Sequence, residues 1–143
     1  MKKTDFDPSR YPHTFSCEVY IHETDAFGHA NNASYFAYMQ NARFDLFKKM
    51  DLFNPSNIFT LGHILGHVEC NYREIARYND RLTIYTRVID ISSSSYTLEH
   101  VFVREKDGAV IADGKAVLVA FDHPQNTTRP LTAQEKEKLE AYA

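Results

Sequence analysis

Apolar and polar residues alternate along positions 14–22, where Phe15, Cys17, Val19 and Ile21 interleave with Ser16, Glu18 and Tyr20. That period of two predicts a half-buried strand. From Asn32 the period lengthens, because Tyr35, Met39, Ala42, Leu46 and Met50 recur at helical spacing and Phe36 and Phe47 widen the apolar stripe. A helix of about five turns is predicted. A polar stretch with Asn54, Pro55, Ser56 and Asn57 leads into a second strand at positions 63–72, with Ile64, Val68, Cys70 and Tyr72 on one face.

Further alternating or β-branched runs cover positions 81–91, 95–104 and 109–121. The last two flank Lys106-Asp107-Gly108, whose Asp-Gly step is a hairpin signal, so they should be antiparallel neighbours. Pro124 and Pro130 then break the sheet, and Thr132 and Glu135, at capping-box spacing, open a short surface helix. This order predicts an α+β fold in which a five-stranded antiparallel sheet wraps one long helix. One helix cannot cover both faces of such a sheet, so a strand face left apolar favours a dimer.

Composition narrows the function without choosing it. The 143 residues are 43% hydrophobic and 24% charged, which fits one globular domain, residues 1–143, with no internal repeat or linker. A formal charge of -3 supplies no global basic field for nucleic acid. The N-terminal segment has two lysines but no apolar stretch behind them, and no window approaches a membrane span, so a cytoplasmic protein without membrane insertion is expected. Cys17 and Cys70 sit in alternating patterns and read as small buried hydrophobes rather than a disulfide.

The candidate chemistry lies between the first strand and the long helix, in His22-Glu23-Thr24-Asp25-Ala26-Phe27-Gly28-His29-Ala30-Asn31-Asn32. Every residue there has a structural reading. A carboxylate at Asp25 gains up to about 1 kcal/mol from the helix N-terminus, Asn31 or Asn32 can cap the helix, and Gly28 relieves a tight turn. Glu23 reads as solvated. The same physics supports chemistry: free N–H groups at a helix start can hold a carbonyl oxygen that develops charge, and a neighbouring carboxylate can attack the carbonyl or activate water. A thioester suits this better than an amide, since a thiolate departs without a strong general acid.

The run from Thr24 to Asn32, with Tyr35, Ala42 and Arg43, resembles the signature of the hotdog-fold acyl-CoA thioesterases of the 4-hydroxybenzoyl-CoA thioesterase type. The stretch from Val68 to Val88 is similar to that family's second and third strands, with Tyr72 and Asp80 at recurrent positions. The resemblance implies a hotdog fold, a homodimer with active sites at its interface and pairing of dimers as an option. It implies an acyl-CoA or acyl-carrier-protein substrate and hydrolysis without metal or cofactor. The catalytic carboxylate falls on Asp25, as nucleophile or general base, with a backbone N–H near Asn32 polarising the carbonyl. The Gly28-His29 form resembles the branch that includes plant fatty acyl-carrier-protein thioesterases, which makes His29 a candidate for positioning water or substrate and Asn32 a weaker assistant. Gly28, Asn31, Tyr35, Thr60, Leu61 and His63 are the implied substrate contacts, Thr60 and Leu61 from the partner subunit.

Three further points stay open on the sequence. His63, His67 and Glu69 would share one strand face, but metal binding is the weaker reading because the known spacing needs a helix. Arg73, Arg77, Arg87 and Arg104 could each meet the phosphates of coenzyme A. An enoyl-CoA hydratase or dehydratase, or an acyl-CoA-binding module without turnover, are the competing functions.

Overall fold

The computed structural model describes residues 5–143. Strand β1 (His13–Glu18) is followed by helix α1 (Asn32–Lys49), strands β2 (His63–Tyr72), β3 (Arg81–Ile89), β4 (Ser95–Arg104) and β5 (Val110–Asp122), a two-residue β6 (Thr127–Thr128) and helix α2 (Ala133–Glu140). The main sheet runs β1-β3-β4-β5-β2, and β6 pairs with the end of β5. All neighbours are antiparallel, including the β4–β5 hairpin. No described helix is long and apolar enough to cross a membrane.

Helix α1 lays its stripe on the inner sheet face. Tyr35, Met39, Ala42, Leu46 and Phe47 are buried, whereas Phe36 stays 36% exposed on the stripe's edge. The helix stops where Asp51 turns left-handed at φ 55°, with Asp51 N–H donating to Lys48 O and Leu52 N–H to Phe47 O. Those two bonds satisfy the last carbonyls in the usual C-terminal pattern, here with aspartate in the place glycine favours.

The core is in two parts with a polar belt between them. One apolar cluster gathers Tyr35, Met39, Ala42, Ile84 and Phe102; the other gathers Leu46, Phe47, Leu98, Leu118 and Leu139. Across the sheet between them run His13, Thr86 and His100, cross-strand neighbours, all buried. His13 Nε2 lies 2.8 Å from Asp45 Oδ2, and Thr86 Oγ1 lies 2.8 Å from His100 Nδ1. Arg43, also buried, occupies the matching stretch of α1 between Ala42 and Leu46. Tyr11, Val101 and Val110 form a third, smaller cluster, with Phe6 and Tyr85 packed against it.

The strands differ from the local pattern in four respects. The first strand ends at Glu18, not at residue 22, because its partner β3 begins only at Arg81. Residues Ile21–Glu23 instead form a 3-10 turn, and Ile21 is 67% exposed. The third strand ends at Ile89, where Asp90 goes left-handed at φ 54°. In β2 the register shifts between Leu65 and His67, so Gly66 is an extra residue that reverses the inward positions. His63 faces inward opposite Ala120, whereas His67 and Glu69 pair opposite the outward Val117 and Lys115. The three do not share a face, and Ile64 leaves the face of Val68, Cys70 and Tyr72.

The inward His63 ties α2 to the sheet. Its Nδ1 is 2.7 Å from Tyr96 Oη, and its Nε2 meets Glu135 Oε2. Arg129 donates to both Glu135 oxygens, at 2.7 and 3.0 Å, and to Gly62 O at 2.9 Å. A Cβ on Gly62 would fall 2.5 Å from Arg129 Nη2, so a larger residue there would have to displace the guanidinium. The capping box of Thr132 and Glu135 is present, and Leu139 is fully buried, so α2 is partly a core element.

Candidate active site

The loop between β1 and α1 is folded by its own polar groups. Glu23 is not simply solvated: its Oε1 accepts the Tyr20 N–H at 2.8 Å, and its carbonyl accepts from Asn31 N–H and Ser34 Oγ. Asp25 and His29 close a tight turn, with Asp25 N–H donating to His29 O at 2.8 Å and Gly28 N–H to Asp25 O at 3.1 Å. Gly28 sits at φ 74°, a conformation that costs a side-chain-bearing residue roughly 1–2 kcal/mol. Asn31 caps α1 by accepting the Ala33 N–H at 3.0 Å, and Asn32 is the first helical residue.

Asp25 is exposed, with its Oδ1 accepting the Phe27 N–H at 2.9 Å and the His29 N–H at 3.1 Å. The His29 N–H, seconded by that of Phe27, holds its carboxyl below the usual carboxylate range. Both bonds go to one oxygen, so Oδ2 keeps its lone pairs. The imidazole of His29 is not bonded to this carboxylate; the link between the two residues is through backbone.

A second chain segment supplies the opposite wall. After Tyr72 the chain turns back over the loop, with Ala30 N–H donating to Ala76 O at 2.7 Å and a bridge joining His29 to Arg77. Between the two segments lies a cavity of about 120 Å³ that brings together Asp25, His29, Asn32 and Tyr35. Ala30, Tyr72, Glu74, Ile75 and Ala76 complete it, none of them among the site residues the sequence points to. Tyr72 Oη donates to Asn32 O at 3.1 Å, and the buried Tyr35 ring meets Tyr72 and Phe102 edge-on. Gly28 and Asn31 shape the turn and the helix start beside it.

Thr60, Leu61 and His63 are not brought to this cavity within the chain. Thr60 Oγ1 is engaged with the Asn57 carbonyl and the Asn54 N–H, Leu61 is buried in the second apolar cluster, and His63 is held between Tyr96 and Glu135. A larger open depression, about 320 Å³, is bounded by Asn79, Asp80, Arg81, Glu105 and Lys106. Its charges are paired among themselves, Arg81 with Glu105 and Lys106 with Asp80. No group of three or more His, Cys, Asp or Glu among the described residues is arranged to hold a metal ion. Cys17 and Cys70 are free and half-buried, and burial pushes their thiols up to about 12 and about 11.

The family model described as Thioesterase-like superfamily matches residues 19–139. The long-chain acyl-CoA thioesterase FadM of Escherichia coli (strain K12) is 29% identical over 116 residues, 81% of this chain and 88% of that protein. The protein YsmA of Bacillus subtilis (strain 168) is 32% identical over 122 residues, 85% of this chain and 80% of that one. Among solved structures, a predicted thioesterase from Bacillus stearothermophilus has a TM-score of 0.83 at 25% identity, over 92% of this chain and 96% of that chain. A thioesterase from Thermus thermophilus, complexed with coenzyme A and zinc, has a TM-score of 0.80 at 24% identity, over 92% and 95%. Sequence and architecture agree: the chain belongs to the Thioesterase-like superfamily and has its hotdog fold.

Proposed function

We propose that this protein hydrolyses an acyl-CoA thioester to the free acid and thiol, with Asp25 acting on the carbonyl carbon and the Asn32 N–H polarising the carbonyl oxygen. That it is a thioester hydrolase follows from its family and from relatives that are thioesterases. The observation that carries the role of Asp25 is its placement: an ionised carboxylate with an unspent oxygen, at a cavity that also contains the first residue of α1. The Asn32 N–H lies in the first turn, where helical N–H groups have no intrahelical acceptor, so it is available to a developing oxyanion.

Two routes share this geometry. Asp25 either attacks the carbonyl carbon, expelling thiolate and leaving a mixed anhydride that water opens, or takes a proton from the water that attacks. His29, on the same cavity, positions that water or the acyl group. The edge strand β2 leaves Leu65 44% and Tyr72 43% exposed, which supports pairing of two subunits along that edge to finish the site.

Turnover of a panel of acyl-CoAs from short to long chain tests the reading. Release of free thiol from at least one ester supports it. Hydration of an enoyl-CoA without thiol release, or tight binding with no turnover across the panel, would overturn it.

A further inference from the structure

A pantetheine-bearing substrate carries its phosphate well away from the thioester, so a phosphate anchor belongs on the rim of the cavity rather than inside it. The structure sorts the four arginines that the sequence left equivalent. Arg73 is spent on Asp113, with Nε 2.7 Å from Oδ2. Arg87 is bonded to Glu99 at 2.6 Å and lies over the Tyr11 ring on the other sheet face. Arg104 is shared by Asp107, Glu74 and Asp80 and donates to Ile75 O at 2.8 Å.

Arg77 is different. It follows the cavity-lining Ala76, and its backbone is tied on both sides, by the bridge to His29 and by its N–H donating to Asp80 Oδ2 at 2.9 Å. Its residue is exposed, and its guanidinium has no ion pair or hydrogen bond among the described residues. The acidic groups around it are already neutralised: Asp80 faces Lys106 at 3.4 Å and Arg104 at 3.8 Å, and Glu74 faces Arg104 at 3.2 Å. The segment that walls the cavity thus carries, on a fixed backbone one residue beyond Ala76, a planar cation with no ion pair among the described residues, which suits bidentate recognition of phosphate.

We propose that Arg77 anchors a phosphate of the substrate's pantetheine-bearing carrier. This rests on the thioesterase reading above, and it selects a residue that reads the carrier and not the acyl group. The chemistry is shared by coenzyme A and by the phosphopantetheine of an acyl carrier protein.

The test compares wild type with Arg77→Gln and Arg77→Lys on one acyl group carried by coenzyme A, by 4′-phosphopantetheine and by N-acetylcysteamine, which has no phosphate. Arg77→Gln should lower kcat/KM on the coenzyme A ester by about tenfold, chiefly through KM, as expected for loss of a charge-assisted contact. Arg77→Lys should recover part of it, and the N-acetylcysteamine ester should be turned over as by wild type. A loss on both phosphorylated esters assigns the pantetheine phosphate, common to both carriers; a loss on the coenzyme A ester alone assigns the nucleotide end. Equal losses on all three esters, or none on the coenzyme A ester, would overturn the proposal. If wild type hydrolyses no ester, the thioesterase reading fails, and the dissociation constant of coenzyme A decides Arg77 separately: weaker binding by Arg77→Gln supports the anchor and unchanged binding refutes it.

Discussion

Acid and histidine meet in two very different ways in this molecule. In the interior, Glu135 contacts His63, and Asp45 lies 2.8 Å from His13, with both histidines buried. In the loop before α1, the Asp25 carboxylate is hydrogen-bonded to the backbone N–H of His29 and not to its ring, and it is exposed. By hydrogen-bond geometry alone the interior couples are the better catalytic pairs. Their histidines are buried by the fold, however, and Glu135 has both oxygens taken by Arg129 and His63. Asp25 is less well bonded and more available. A carboxylate whose lone pairs are satisfied holds structure together; one with a free oxygen beside a cavity can meet a substrate.

Breaking the interior couple should therefore cost stability and spare chemistry. Glu135→Ala removes the carboxylate that His63 and Arg129 share and should destabilise the fold by about 3 kcal/mol in denaturant unfolding. The kcat/KM of the folded fraction should stay within about twofold of wild type, because α2 is remote from the cavity. A large loss of turnover at unchanged stability would give the interior couple a part in the chemistry and reverse the contrast.

Acid should find the interior before it finds the loop. Burial pushes His100 down to about 3 from its ordinary 6.5, and burial also lowers His13 and His63. Because these native values lie below the unfolded one, the unfolded chain takes up protons first as pH falls. Stability should be full above about pH 6.5 and decline progressively below it. Glu135 adds to the loss below its ordinary 4.5, since Arg129 and the Thr132 N–H outweigh the effect of burial and bring it to about 2. Asp25, already held below the carboxylate range, stays ionised throughout the upper part of this window. Unfolding curves from pH 7 to 4 should show this slope, and His100→Gln should flatten it.

The loop offers smaller effects. Gly28→Ala meets no atom within 4 Å, so its cost is the backbone alone, about 1 kcal/mol, with kcat/KM reduced as the Asp25 turn distorts. Asn31→Ala removes the cap from α1 and should cost about 1 kcal/mol or slightly less, read as a shift in thermal midpoint.

The difference between these regions also explains what local pattern could and could not reveal. Helix α1, strand β4 and the Thr132–Glu135 capping box follow from periodicities and spacings within a few residues, and each is found where the sequence puts it. The end of β1 depends on where β3 starts, some sixty residues later, and the alternation simply runs past it. The Gly66 bulge leaves little trace in a run that alternates on both sides, yet it decides that His63 faces inward. The site divides the same way. Asp25, His29 and Asn32 lie in one contiguous motif, whereas Glu74, Ile75 and Ala76 reach the cavity only through pairing of the loop after β2 with Ala30. Thr60, Leu61 and His63 came from family analogy, and within one chain they lie elsewhere.

The most direct measurement is kcat/KM of Asp25→Asn beside wild type on the best acyl-CoA substrate, with thermal midpoints taken on the same samples. The substitution keeps the shape and one oxygen for the Phe27 and His29 N–H groups but removes the charge. A loss of at least about 100-fold at a nearly unchanged midpoint is predicted, the scale on which removal of a catalytic group acts. Turnover equal to wild type would contradict the assignment of Asp25.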